Sequence, residues 1–212
     1  MTKKNYYGWE KRDFDMSGIK IEDDYLPSSE FGLVQNLYAP AEPSNQIQSQ
    51  IGAIPWVMAE VVNFRASGHP ELENVEKENL DDNFQLSYVL YESPNARIGS
   101  EPIVSSQNKF LFPIFFQKIN PRGLLKVKTN LLMRTNEIIK HGFHCDYPAD
   151  IYAGLTTSIF YINSNDGYTE FEDGTKIESV GNRLVTFPYH MKHRGTTCTN
   201  KPFRIVINFN YF

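Results

Sequence analysis

The segment that decides the fold is residues 156–172, TTSIFYINSNDGYTEFE. It places two runs of β-branched and aromatic residues, Thr156 to Asn163 and Tyr168 to Glu172, on either side of the turn sequence Asn165-Asp166-Gly167. Asn, Asp and Gly favour tight turns, whereas β-branched and aromatic side chains favour strands. The segment therefore predicts two short strands joined by a turn.

Short strands separated by turns are predicted from Pro121 almost to the end of the chain. Besides the pair in 156–172, the predicted strands are Leu124 to Leu132, a strand that closes with His144 to Asp146, Thr175 to Val180, Arg183 to Phe187, His193 to Cys198 and Phe203 to Phe212. Eight short strands in about 90 residues are what a double-sheet jelly roll needs. We therefore expect a mainly β protein with flanking helices, in which residues 121–212 form a cupin-like double-stranded β-helix.

Residues 1–120 carry stronger helix signals than the rest of the chain. Apolar side chains recur at helical spacing between residues 30 and 38, which predicts a helix there. A second helix is predicted across Asn108 to Ile119, with Ser105 or Ser106 as its cap. We expect residues 1–120 to form a helical and irregular extension that packs on the barrel, so that the chain is one structural domain overall.

Composition narrows the classes of function. Hydrophobic residues make up 41% of the 212 residues, which predicts a packed core. A net charge of −4 without a long basic run disfavours a nucleic-acid partner. The longest apolar run, Phe110 to Phe116, is too short to span a membrane. Only two cysteines and no apolar leader lead us to expect a reduced, cytoplasmic location.

The sequence His144-Cys145-Asp146 contains a candidate pair of metal ligands. In an extended strand, residues i and i+2 point to the same face, so the imidazole of His144 and the carboxylate of Asp146 should converge. Cys145 should then point the other way. Such a pair is common by chance, and it needs a third ligand to predict a metal site.

His193 is the candidate third ligand, 47 residues after Asp146 with several predicted strands between them. Two His and one carboxylate leave open positions on a metal, an arrangement typical of iron(II) chemistry with oxygen and a bidentate co-substrate. Zinc fits less well, since structural zinc prefers four protein ligands. His190 and His141 compete for the role, but neither has the spacing of His193 or His144.

Arg204 lies eleven residues after His193, within the predicted final strand. Its neighbours Phe203, Ile205 and Val206 are apolar, so a buried guanidinium there would need an anionic partner. A dicarboxylate co-substrate would supply one through two parallel hydrogen bonds. The alternative is a buried salt bridge to a carboxylate of the protein.

These features resemble the iron(II)/2-oxoglutarate-dependent oxygenases, and most closely their prolyl-hydroxylase-like branch. The resemblance covers roughly residues 121 to 212. It rests on His144-Cys145-Asp146, on residues 157–163 followed by 167–171, on Phe187 to His193 and on Arg204. It implies a double-stranded β-helix, with His144, Asp146 and His193 as iron ligands and Arg204 as the anchor of 2-oxoglutarate.

The resemblance also implies an activity. We expect a hydroxylase that uses Fe(II), 2-oxoglutarate and O2, with ascorbate as a candidate reductant and a peptidyl or small-molecule substrate. The alternatives are a catalytically silent jelly-roll binding module and a cupin-type zinc or manganese enzyme, neither of which needs Arg204. The sequence leaves the prime substrate and the oligomeric state open.

One position departs from the family pattern. Relatives often carry a Tyr on the strand after the HxD motif that bonds the 2-oxoglutarate carboxylate, and the alignment places Phe160 there. Tyr161 could take that role only if the register shifts by one residue, which reverses the face it occupies. Asn130 is the other polar candidate for contact with the co-substrate.

Overall fold

The computed structural model describes residues 18–38, 54–59, 84–96, 101–147 and 154–212. Those ranges contain two α-helices, α1 (Ser28–Tyr38) and α2 (Asn108–Ile119), and a 3-10 turn at Pro94–Ala96. The strands within them are β1 (Lys20–Glu22), β2 (Val57–Ala59), β3 (Gln85–Glu92), β4 (Ile103–Val104), β5 (Leu124–Met133), β6 (Thr156–Tyr161), β7 (Tyr168–Phe171), β8 (Lys176–Glu178), β9 (Arg183–Pro188), β10 (His193–Gly195) and β11 (Phe203–Tyr211).

The strands form two antiparallel sheets of different size. The large sheet has the order β1-β9-β6-β11-β5-β3-β2, and β4 also pairs with β3. The small sheet has the order β10-β7-β8. The long strand β11 occupies the middle of the large sheet, between β6 and β5. A mainly β jelly roll with flanking helices, predicted from the strand spacing, is therefore confirmed.

The two helices cover the outer face of the large sheet. Buried side chains of α1 and α2 form one core cluster with every second residue of the central strands, including Phe160, Ile205, Ile207 and Phe209. Phe115 of α2 lies 4.9 Å from both Phe160 and Phe209, measured between ring centroids. Burying several aromatic rings in this way supplies much of the driving force for folding.

The inner face of the large sheet packs against the small sheet. This second core cluster contains residues from both sheets: Ile159, Tyr161, Phe171, Ile177, Val185, Phe187 and Val206. The rings of Phe171 and Phe187 meet edge to face at 4.9 Å. The functional candidates lie at the edges of this apolar centre, so the space between the sheets is where the fold positions them.

The N-terminal part contributes strands as well as helices. β3 pairs with β5 and β1 pairs with β9, so the large sheet is built from both sides of residue 120. The boundary at 120 itself stays a prediction.

In the ranges that the structure describes, neither helix combines the length and hydropathy that a membrane crossing requires.

Two local predictions were wrong. The cap of α2 is Gln107 rather than Ser105 or Ser106, and it makes no side-chain capping bond. His144 forms an isolated bridge and is not part of a strand ending at Asp146. His144 pairs only with His193, and a bridge of one residue is too short to be a strand.

Candidate metal centre and anion pocket

The backbone brings His144 and His193 together. Each donates its N–H to the carbonyl oxygen of the other, at 3.0 Å from His144 and 2.9 Å from His193. This pairing places the two imidazoles side by side, with ring centroids 4.8 Å apart. Two residues 49 positions apart in the sequence therefore meet through one antiparallel bridge.

Asp146 completes the cluster. Its Oδ1 lies 3.7 Å from Nε2 of His144 and 3.9 Å from Nε2 of His193. One ligand atom from each of the three residues lies within 4.8 Å of the others, so this group could hold a metal ion. His193 is buried, whereas His144 and Asp146 are partly exposed. The cluster is thus open on one side, as a site for ligand exchange requires.

Backbone carbonyls fix the orientation of both imidazoles. Nδ1 of His144 lies 3.3 Å from the carbonyl of Gly142, and Nδ1 of His193 lies 3.1 Å from that of Met191. A proton on Nδ1 satisfies each carbonyl and leaves the Nε2 lone pair directed at Asp146. Burial and the neighbouring His193 lower the pKa of His144 to about 4, so this imidazole is neutral at pH 7.

Asn210 holds the carboxylate of Asp146. Its side-chain amide donates to Asp146 Oδ2 at 2.7 Å and to Thr157 Oγ1 at 3.1 Å. Burial alone would raise the pKa of Asp146, but His193, His144 and the Asn210 amide together hold it below its usual value. The carboxylate therefore stays ionised with Oδ1 left for the cluster.

The donor set fits a divalent transition metal. Two imidazoles and one carboxylate suit iron(II), and their number leaves coordination positions for other ligands. The three ligand atoms lie within 4.8 Å of one another, so a small inward movement of the side chains would let one ion contact all three. Cys145 points elsewhere, since its Sγ–H donates to the carbonyl oxygen of His190 at 3.2 Å.

Arg204 reaches from the large sheet to the small one. Its Nε donates to Ser179 Oγ at 2.7 Å, and its Nη2 donates to Thr169 Oγ1 at 3.1 Å. Burial lowers the pKa of the guanidinium. Among the described residues no carboxylate lies within ion-pair distance of Arg204. Within those residues Arg204 therefore forms no buried salt bridge to a carboxylate of the protein, the alternative that the sequence left open.

Tyr161 shares this pocket, and Phe160 does not. The Arg204 guanidinium carbon lies 5.5 Å from the centroid of the Tyr161 ring, and the Tyr161 hydroxyl donates to Thr169 Oγ1 at 2.7 Å. Phe160 lies on the opposite face, in the core under α1 and α2. The strand register thus gives Tyr161, not Phe160, the inner position.

Asn130 lies on the same inner face. It is opposite Val206, which is in turn opposite Tyr161 on the other side of β11. Its Oδ1 is buried without a hydrogen-bond partner among the described residues, and so is Oδ1 of Asn208. A contact between Asn130 and a co-substrate stays a prediction.

The two competing histidines lie outside the cluster. His190 is exposed, and its ring packs against Tyr189 at 5.6 Å. His141 is buried beside Gly195, close to Arg204. The spacing that favoured His144 and His193 over these two histidines therefore agrees with the cluster in the structure, although no strand runs from His144 to Asp146.

Sequence reasoning missed Asn210, Ser179 and Thr169. Asn210 could have been found, because it lies six residues after Arg204 on the same strand and so on the same face. No sequence pattern indicated that Ser179 and Thr169 would contact Arg204. Their position opposite Arg204 depends on how the small sheet packs on the large one.

Comparison with known proteins supports the fold. No family model and no curated protein sequence matches the chain. A prolyl hydroxylase from Trichoplax adhaerens, in complex with a hypoxia inducible factor oxygen degradation domain peptide fragment, matches with a TM-score of 0.55 and 17% identity, over 93% of this chain and 84% of that one. An oxidoreductase of the 2OG-Fe(II) oxygenase family from Burkholderia pseudomallei matches with a TM-score of 0.53 and 10% identity, over 92% and 85%. The chain has the fold of these enzymes, as the resemblance in its sequence predicted.

Proposed function

We propose that the chain is an Fe(II)/2-oxoglutarate-dependent dioxygenase that hydroxylates a peptidyl or small-molecule substrate. The observation that carries the proposal is Arg204, whose buried guanidinium has no carboxylate partner among the described residues. It lies on the inner face of β11, six residues from the Asn210 that holds Asp146. A buried unpaired cation is costly unless an anionic ligand occupies the site.

His144, Asp146 and His193 would hold the metal. Iron(II) bound there would supply the activation of O2 that is coupled to oxidative decarboxylation of 2-oxoglutarate. The protein contributes orientation, since backbone carbonyls hold both imidazoles and Asn210 holds the carboxylate. Ligands held in this way need little reorganisation when the metal binds.

Arg204 would bind the distal carboxylate of 2-oxoglutarate. Ser179 and Thr169 hold its Nε and Nη2, which leaves Nη1 for a ligand. The Tyr161 ring forms one wall of this pocket. The apolar side chains Phe171, Phe187 and Val206 would keep water from the space between Arg204 and the metal ligands.

A peptidyl substrate is the more specific form of the proposal. Its support is the prolyl hydroxylase with a similar fold, which was solved in complex with a peptide fragment. The open side of the cluster, at the partly exposed His144 and Asp146, is where such a substrate would reach the metal. The cytoplasmic location also stays a prediction from the sequence.

Two measurements test the proposal. Anaerobic titration of the Fe(II)-loaded protein with 2-oxoglutarate should produce a metal-to-ligand charge-transfer band that saturates. In air with ascorbate, the same protein should release succinate slowly even without a prime substrate. Metal binding without any 2-oxoglutarate binding would instead identify a metal-binding module, or a cupin-type enzyme that needs no Arg204.

A further inference from the structure

His141 has an unusual environment for a histidine. It is only 2% exposed, yet neither ring nitrogen makes a hydrogen bond to any described residue, and Nε2 is fully buried without a partner. With Nε2 enclosed by the protein, Nδ1 is the ring nitrogen that lies beside Gly195. Burial and then the charge of Arg204 lower the pKa of His141 to about 4, so the ring is neutral and carries one N–H donor.

His141 and Arg204 border the same small space beside Gly195. A Cβ on Gly195 would lie 3.4 Å from Nη1 of Arg204 and 4.0 Å from Nδ1 of His141. Apart from Gly195 itself and its two chain neighbours, no other heavy atom of the described residues lies within 4 Å of that point. The backbone fixes this arrangement, because the His141 N–H donates to the carbonyl oxygen of Gly195 at 3.1 Å.

We infer that His141 is a second recognition residue for the distal carboxylate of the co-substrate, facing Arg204 across Gly195. The inference rests on the proposed function, since it concerns the same ligand. A carboxylate has two oxygens, and each can accept from a different donor. Nη1 of Arg204 and Nδ1–H of His141 would supply the two donors, and the missing side chain at Gly195 leaves room for the ligand.

The pairing predicts selectivity for a dicarboxylate. A 2-oxo acid without the distal carboxylate, such as 2-oxobutyrate, should gain nothing from His141. A role in packing or in metal binding alone would affect both acids equally. The ratio of the two affinities therefore separates recognition from a merely structural role.

The test measures that ratio in three variants of the Mn(II)-loaded protein by calorimetry. His141→Phe keeps a buried ring without a donor, and it should weaken 2-oxoglutarate binding about tenfold while leaving 2-oxobutyrate unchanged. His141→Asn places an amide near the position of Nδ1 and should restore much of the affinity. His141→Gln moves the amide beyond that position and should behave like His141→Phe.

Several outcomes would overturn the inference. Unchanged 2-oxoglutarate affinity in His141→Phe, or an equal loss for both acids, would assign His141 to packing. If His141→Phe does not fold, equal affinity in His141→Asn and His141→Gln decides against it in the same way. No 2-oxoglutarate binding by the wild type would contradict the proposed function, which is a separate result.

Discussion

The two faces of β11 differ in what they carry. On the outer face, Ile205, Ile207 and Phe209 are fully buried under the helices. On the inner face, Arg204 and Asn210 are equally buried, but their polar groups bond to residues around the candidate site. Residues that are adjacent in the sequence thus serve packing and chemistry in turn, because successive side chains of a strand point to opposite faces.

This difference has an experimental consequence. Substitutions on the outer face should lower the stability of the protein and leave ligand affinity per folded molecule unchanged. Substitutions of the inner-face residues that bond to the site, Arg204 and Asn210, should change ligand affinity with little loss of stability. The five predictions below test this separation, from the largest expected effect to the smallest.

Asp146→Ala removes the one anionic member of the cluster, and we expect it to abolish measurable Fe(II) or Mn(II) binding. Without the carboxylate, two imidazoles alone would bind such ions weakly. Calorimetric titration with Mn(II) measures the loss. Asp173→Ala, at an exposed turn, is the matched control and should bind the metal normally. Unchanged affinity in Asp146→Ala would remove this residue from the metal site.

Phe160→Ala should lower the free energy of unfolding by about 3–5 kcal/mol, since it leaves a cavity beneath α1 and α2. Urea denaturation measures the change. Leu33→Ala removes a side chain that is 64% exposed and should change the stability by less than about 0.5 kcal/mol. A folded Phe160→Ala protein with impaired metal binding would contradict the separation of the two faces.

Arg204→Ala should weaken 2-oxoglutarate binding by about 2–5 kcal/mol, the usual cost of deleting one partner of a buried charge pair. Metal affinity should not change, because Arg204 is not a ligand. Arg204→Lys should have an intermediate affinity for 2-oxoglutarate, since lysine keeps the positive charge but lacks the two parallel N–H donors of a guanidinium. The charge-transfer band of the anaerobic Fe(II) protein reports the affinity, and equal values in wild type and Arg204→Ala would place the anion elsewhere.

Asn210→Ala should weaken metal binding about tenfold or more, because Asp146 Oδ2 loses the amide that holds it. Asn208→Ala is the matched control. It lies two residues away on the same face, and its Oδ1 has no hydrogen bond among the described residues. Mn(II) calorimetry of both variants makes the comparison, and equal affinities would show that the Asn210 bond does not orient the ligand.

Cys145→Ala should have the smallest effect. Cys145 is only partly buried and its Sγ points to the carbonyl oxygen of His190, so we expect a stability change below about 1 kcal/mol. The metal stoichiometry should stay that of the wild type. Metal analysis and thermal unfolding check both points, and a folded variant without metal would require Cys145 to take part in the site.

The amino-acid sequence by itself determined the fold class and the elements near the site. Alternation of apolar residues with turn sequences predicted β6, β7, β9 and β11 close to their observed bounds. Strand alternation is a local feature, because the period of two is a property of each extended segment. The spacing of His144, Asp146 and His193, together with the family resemblance, predicted which three side chains meet, although residues 144–146 do not form a strand.

Only the tertiary structure decided the remaining points. The choice between Phe160 and Tyr161 depended on which face of β6 the helices cover. The bond from Asn210 to Asp146 and the approach of His141 to Arg204 join segments that lie far apart in the chain. A sequence pattern shows which residues share a face, but the packing of the helices and of the small sheet sets which face turns inward, because that choice depends on the combined burial of all the layers.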